Sequence, residues 1–195
     1  AVYWHKKAAD QGFLYSQFIL GNMYEEGEGV TQDYKQAVYW YTKAAEQGLH
    51  EAQRSLGVLY YSGEGVPQDY KTAFHWLTLA ANQGNDAAQV ALGMAYYTGK
   101  GAVKDYKIAV KWLTLAANQG VPVAQGMLAT MYLKGLGVTQ NQKTAIKWFR
   151  VAAENGHANA QFSLALQLRD PLIIHMWLNI AASQGHVMAA SLRDS

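Results

Sequence analysis

The chain contains no cysteine, which excludes disulfides and thiolate metal sites. Only three prolines occur in 195 residues, so it is not a proline-rich disordered segment. Charged residues make up 15%, below the roughly 25% usual in soluble domains. No apolar run approaches the ~20 residues of a membrane span. No Asn-x-Ser/Thr sequon is present, so N-glycosylation is not expected. His-x3-His, HExxH, Gly-x-Ser-x-Gly and Ser-x-x-Lys patterns are all missing, and with them the common signatures of zinc hydrolases and serine nucleophiles.

What is present is a period. Trp4, Trp40, Trp76, Trp112 and Trp148 are each 36 residues apart, as are Gly12, Gly48, Gly84, Gly120 and Gly156. The Ala-Ala pairs beginning at Ala8, Ala44, Ala80, Ala116 and Ala152 keep the same step. Such a register marks a repeat architecture. One repeat domain therefore covers 1–195, with a partial repeat at 1–15 and full repeats at 16–51, 52–87, 88–123 and 124–159. A shortened repeat at 160–188 and the start of a further helix or tail at 189–195 complete it. The opening AVYW matches Ala37–Trp40. This register predicts that the chain is cut from a longer solenoid, with Trp4 on an apolar, self-associating end.

Each repeat reads as two helices. In the first, Leu56, Gly57 and Tyr60 share one face, and Gly63 stops the helix in the left-handed conformation. In the second, Asp33 is an N-cap and Gln36 completes a capping-box pattern. Asp69, Asp105 and Asn141 repeat the cap. Ala37, Trp40 or Tyr41, and Ala44 carry the buried stripe. Gly21, Gly57 and Gly93 sit inside first helices, where each costs about 1 kcal/mol against alanine. Close helix approach is the expected compensation. One hairpin cannot bury its apolar faces alone, whereas a stack can.

Two departures stand out. Repeat three reads GKGAVKD, with Ala102 at the valine position, which predicts a local change in the turn. In repeat five Leu164 to Trp177 spans 13 residues where Leu128 to Trp148 spans 20. Seven linking residues are missing, and Asp170-Pro171 reads as an N-cap followed by N1.

In repeat two, Leu56, Gly57, Tyr60, Gly63, Gly65, Val66, Asp69, Lys71, Ala73, Trp76, Ala80, Ala81, Gln83 and Gly84 carry a pattern that resembles the SEL-one-like repeat. This is a relative of the tetratricopeptide repeat, and the likeness extends over essentially the whole chain. It implies an all-α, right-handed α/α superhelical solenoid. It further implies a non-enzymatic bacterial scaffold or adaptor that binds a peptide or protein segment in a concave groove lined by first helices. Position by position, the groove would present Phe18, Asn22 and Glu25 from repeat one. Repeat two would add Arg54, Val58 and Tyr61, and repeat three Met94 and Tyr97, with Val90 nearby. Thr130, Leu133 and Lys134 would follow from repeat four, and Phe162, Leu166 and Arg169 from repeat five. Tyr61, Met94 and Tyr97 are the expected anchors, since tyrosine and methionine are enriched at binding surfaces.

Neither metal nor cofactor is expected. The Gly-Glu-Gly-Val turns lack the strand before and the Lys-Ser/Thr after that a phosphate loop needs. They read instead as turns anchored by a buried valine. His50, His157 and His186 follow helix-stopping glycines and are expected to be exposed. Glu25, Glu26 and Glu28 read as a polar rim beside a turn. Cysteine-rich members of the family are linked to penicillin binding and β-lactamase activity. With no cysteine here, that activity is not carried over, and a cell-wall hydrolase is the alternative class. A purely structural spacer is a third.

Residues 1–98 hold 6 basic and 10 acidic side chains, net −4; residues 99–195 hold 10 and 4, net +6. This polarity can orient a partner. The modest total of +2 argues against nucleic-acid binding. Lys107 with Lys111, and Lys143 with Lys147, lie i, i+4 on second helices, away from the expected groove. Nothing in the sequence sets a compartment.

Overall fold

A computed structural model describes residues 2–168 and 170–193. Among the described residues it holds α1 (Val2–Asp10), α2 (Leu14–Glu26), α3 (Tyr34–Glu46), α4 (His50–Ser62), α5 (Tyr70–Asn82) and α6 (Asp86–Thr98). There follow α7 (Tyr106–Asn118), α8 (Pro122–Lys134), α9 (Gln142–Glu154), α10 (Ala158–Gln167), α11 (Pro171–Ser183) and α12 (Val187–Arg193), and no strand. The chain divides into two compact units: Ala1–Ala95 with Gly99–Val103, and Tyr96–Thr98 with Lys104–Ser195. In the first, α1 to α5 each pack on the next helix in sequence; in the second, α7 to α12 do the same.

The caps follow the sequence, with one correction. Asp33 accepts from the backbone N–H groups of Lys35 and Gln36 at 2.9 and 3.1 Å. Asp69, Asp105 and Asn141 cap their helices likewise. Gln36, however, does not close a capping box. The Asp33 N–H donates instead to the Tyr24 carbonyl at 2.9 Å, back on the preceding helix. Asp69 N–H to Tyr60, Asp105 N–H to Tyr96 and Asn141 N–H to Tyr132 repeat that tie. The cap residue thus fixes both the start of its own helix and its distance from the first one.

The turn in repeat three keeps the backbone of the others. Gly99 and Gly101 have φ of 78° and 80°, against 82° and 74° at Gly63 and Gly65. The predicted distortion is absent because the glycines, which set the chain path, are unchanged. The change is in side chains. Gln32, Gln68 and Gln140 each donate to a carbonyl of the first helix at 2.8 Å. Lys104 stands in that register position and sits over the Tyr106 ring at 4.8 Å. The valine anchors Val30, Val66 and Val138 are half-buried rather than buried.

The core of the first unit gathers Ala37, Tyr41, Leu49, Leu56 and Leu59. In the second, Ala129, Phe149 and Leu164 form one cluster and Leu178, Ala181 and Ala189 another. Close approach is real at the helical glycines. A Cβ on Gly21 would lie 2.5 Å from the Tyr41 ring, and one on Gly57 would lie 2.8 Å from Leu77 Cγ. A second periodic device holds the joints between repeats. Buried Gln17, Gln53, Gln89, Gln125 and Gln161 each donate to the alanine carbonyl eight residues earlier, at 3.1–3.2 Å. Gln17, Gln53 and Gln125 also accept from Gln47, Gln83 and Asn155 at 2.7, 2.8 and 3.2 Å.

Candidate protein-interaction surface

First helices bury a leucine with a small residue behind it, as at Leu20/Gly21, Leu56/Gly57, Leu92/Gly93, Leu128/Ala129 and Leu164/Ala165. Two residues further on a helix is about 200° of rotation. That position therefore faces outward. Val58 and Met94 are exposed there by 39% and 44%, and Leu166 by 55%, while Asn22 and Thr130 are half-buried.

In the first unit, Phe18, Asn22 and Glu25 are brought together, but by a residue not foreseen as part of the surface. Tyr41 is fully buried, and its hydroxyl lies 2.6 Å from Asn22 Oδ1 and also bonds Glu25 Oε2. Phe18 packs on its ring at a centroid distance of 5.8 Å. Burial, then the hydrogen bond and charge of Glu25, push the Tyr41 phenol well above its ordinary pKa, against smaller opposing effects of Ser55 and Arg54. The hydroxyl therefore stays protonated and donates. Glu25 is thus an internal acceptor rather than a member of a solvated rim. Arg54 is half-buried and donates to Ser55 Oγ at 3.2 Å. The signal for Tyr41 lay in its register: positions 77, 113 and 149 hold Leu, Leu and Phe, so a tyrosine there brings a hydroxyl into the core.

Tyr61 is half-buried, edge-on to Tyr70 at 5.1 Å, with Lys100 Nζ 5.5 Å from its ring centre. Val90 is half-buried on α6. In the second unit Tyr97 packs edge-on to Tyr106 at 5.5 Å. Thr130 turns back to donate to the Gly126 carbonyl, Leu133 packs on the core, and Lys134 is exposed. Phe162 stacks on His186 at 4.5 Å. Arg169 lies outside the described residues.

The histidines after the glycines are half-buried rather than exposed, because the ring serves the next helix. His157 Nδ1 accepts from Ala160 N–H and His186 Nδ1 from Ala189 N–H, both at 3.1 Å. His50 Nδ1 pairs with Asn85 Nδ2 at 3.2 Å. Among the described residues no group of three or more His, Asp and Glu side chains converges as metal ligands would, and no helix is long and apolar enough to cross a membrane.

The Sel1 repeat model matches residues 1–13, 14–49, 50–85, 86–121, 122–157 and 175–186. The chain belongs to the Sel1 repeat family. Its fold is the all-α helix-pair solenoid of that family, and Sel1 repeat proteins are generally protein-interaction scaffolds. A Sel1 repeat protein from Oxalobacter formigenes is 35% identical with a TM-score of 0.88, the match covering 98% of this chain and 58% of that one. A protective antigen of uropathogenic Escherichia coli is also 35% identical, with a TM-score of 0.62 and coverage of 97% and 50%. The chain thus spans 50–58% of the length of these two proteins. An immunity protein from Pseudomonas aeruginosa, 24% identical with a TM-score of 0.53 over 98% of this chain and 72% of that one, shares the fold. No curated protein matches the chain.

Proposed function

We propose that this Sel1 chain is a non-enzymatic scaffold that takes a peptide or protein segment on the outward face of its first helices. The observation that carries this is the exposure of Val58 and Met94 at one register position, directly behind a fully buried leucine layer. Exposed apolar side chains on a rigid helical frame bind without reorganising the frame, which keeps the entropic cost of association low. Tyr61 in the first unit and Tyr97 in the second add aromatic surface to the same helices. The wild type is compared with a Tyr61→Ala, Met94→Ala, Tyr97→Ala variant as affinity bait in extract of the native cell. The variant is expected to lose partners that the wild type retains; identical capture would sink the groove reading. Incubation of the protein with β-lactams and peptidoglycan fragments tests the non-enzymatic half, which clear turnover would overturn.

A further inference from the structure

The first four repeats join their helices by a glycine turn, and that turn has a seat on the preceding second helix. In the second unit, a Cβ on Gly137 would fall 2.3 Å from the Tyr106 carbonyl oxygen. In the first, Gly65 rests likewise on the Tyr34 backbone, and Gly101 on the rings of Tyr70 and Phe74. Polypeptide backbone thus covers the opening turns of each of these second helices. On α9, Gln142 and Ile146 hold the register positions of Tyr106 and Val110. Yet α11 begins only four residues after α10 ends, and no turn of this kind follows α10.

What remains beside α9 is a cleft of about 740 Å³. Ile146, Val151 and Leu168 give it an apolar floor, and Lys143, Lys147 and Arg150 a cationic rim. The cations fall at i, i+4 and i+7, on one helical face. Among the described residues no carboxylate lines the cleft, and none of the three cations has an ion-pair partner.

We infer that this cleft receives an acidic polypeptide turn from a protein partner. The partner would place one aliphatic side chain over Ile146, Val151 and Leu168 and its carboxylates against Lys143, Lys147 and Arg150. The seat has the form that glycine turns fill elsewhere in the chain, which favours a turn over a helix. The cationic rim selects carboxylates, with the Arg150 fork suited to bidentate pairing. The apolar floor discriminates against a small free anion. The cleft shares no residue with the surface of Val58, Tyr61, Met94 and Tyr97, so either reading can fail alone.

The probe is a fluorescent peptide EEGEGVT, the sequence of residues 25–31, titrated with the wild-type protein and followed by anisotropy. Two control peptides replace all three glutamates by glutamine, or the valine by serine. A Lys143→Gln, Lys147→Gln, Arg150→Gln variant changes only exposed side chains, so its circular dichroism should match the wild type. We expect saturable binding that weakens at least ~10-fold with the glutamine peptide and with the variant, and ~3-fold with the serine peptide. No binding at about 1 mM peptide, or equal affinity in any of the three comparisons, overturns the assignment. So does displacement by equimolar free glutamate or phosphate, which would make this a small-anion site. Self-association of the wild type that the variant abolishes would make the occupant a second copy, and overturns it too.

Discussion

His157 starts α10 with a titratable ring where Asn85 starts α6 with an amide. The two lie 72 residues apart in the same register, and Asn85 Oδ1 accepts from Ala88 N–H at 2.9 Å. A protonated Nδ1 cannot accept, and burial holds the His157 pKa below its ordinary value. The unfolded chain then binds that proton more readily than the folded one. The stabilisation is complete above the unfolded value of ~6.5 and is lost as pH falls toward the lower folded value. The wild type should lose stability relative to His157→Asn as pH drops from 8 to 5 in urea titrations. A difference that stays constant across that range would rule out the cap as the titrating element. None of this was legible from the sequence, because the column of Phe13, Leu49, Asn85, Val121 and His157 does not read as a capping position until the ring's partner is seen.

At the scale of the element, two effects of known size compete at Gly21. Alanine would gain about 1 kcal/mol of helix propensity. Its Cβ would meet the Tyr41 ring at 2.5 Å, and that ring is fully buried with its hydroxyl tied to Asn22 and Glu25. Overpacking typically costs about 1–3 kcal/mol, and a tethered ring has little freedom to yield. Gly21→Ala should therefore destabilise the protein by about 1 kcal/mol net in equilibrium urea unfolding, and a stabilised variant would show that the ring moves freely. Helices, caps and stop signals were readable because they depend on residues within four positions of one another. The Tyr41 cluster was not, since its members lie 16 and 19 residues from it and meet only after α2 docks on α3. The shortening of repeat five was equally plain in the letters. What it uncovers was not, because the missing turn's seat belongs to a different repeat.

For the molecule as a whole, register-equivalent residues differ sharply in exposure. Trp4 is 69% exposed and Trp40 5%, with Tyr3 at 61% beside Trp4. We propose that this exposed aromatic face of α1 mediates self-association of the 195-residue chain. Sedimentation equilibrium should show concentration-dependent association that Tyr3→Ser, Trp4→Ser removes; a wild type that remains monomeric at all concentrations would refute it.

The buried glutamines carry one more consequence. Gln17 with Gln47, Gln53 with Gln83, and Gln125 with Asn155 are partners 30 residues apart within one repeat, while the same three glutamines reach back to the repeat before through Ala9, Ala45 and Ala117. Duplicating or deleting any 36 residues taken from 14–157 regenerates such a pair, because Gln47, Gln83, Gln119 and Asn155 keep the same step. An insertion of another length between the partners that shifted this register would strand a buried amide, at a cost of about 1–3 kcal/mol. The glutamine column therefore acts as a length gauge. It lets the chain grow or shrink by whole repeats with no new interface to invent, and it penalises slippage by anything less.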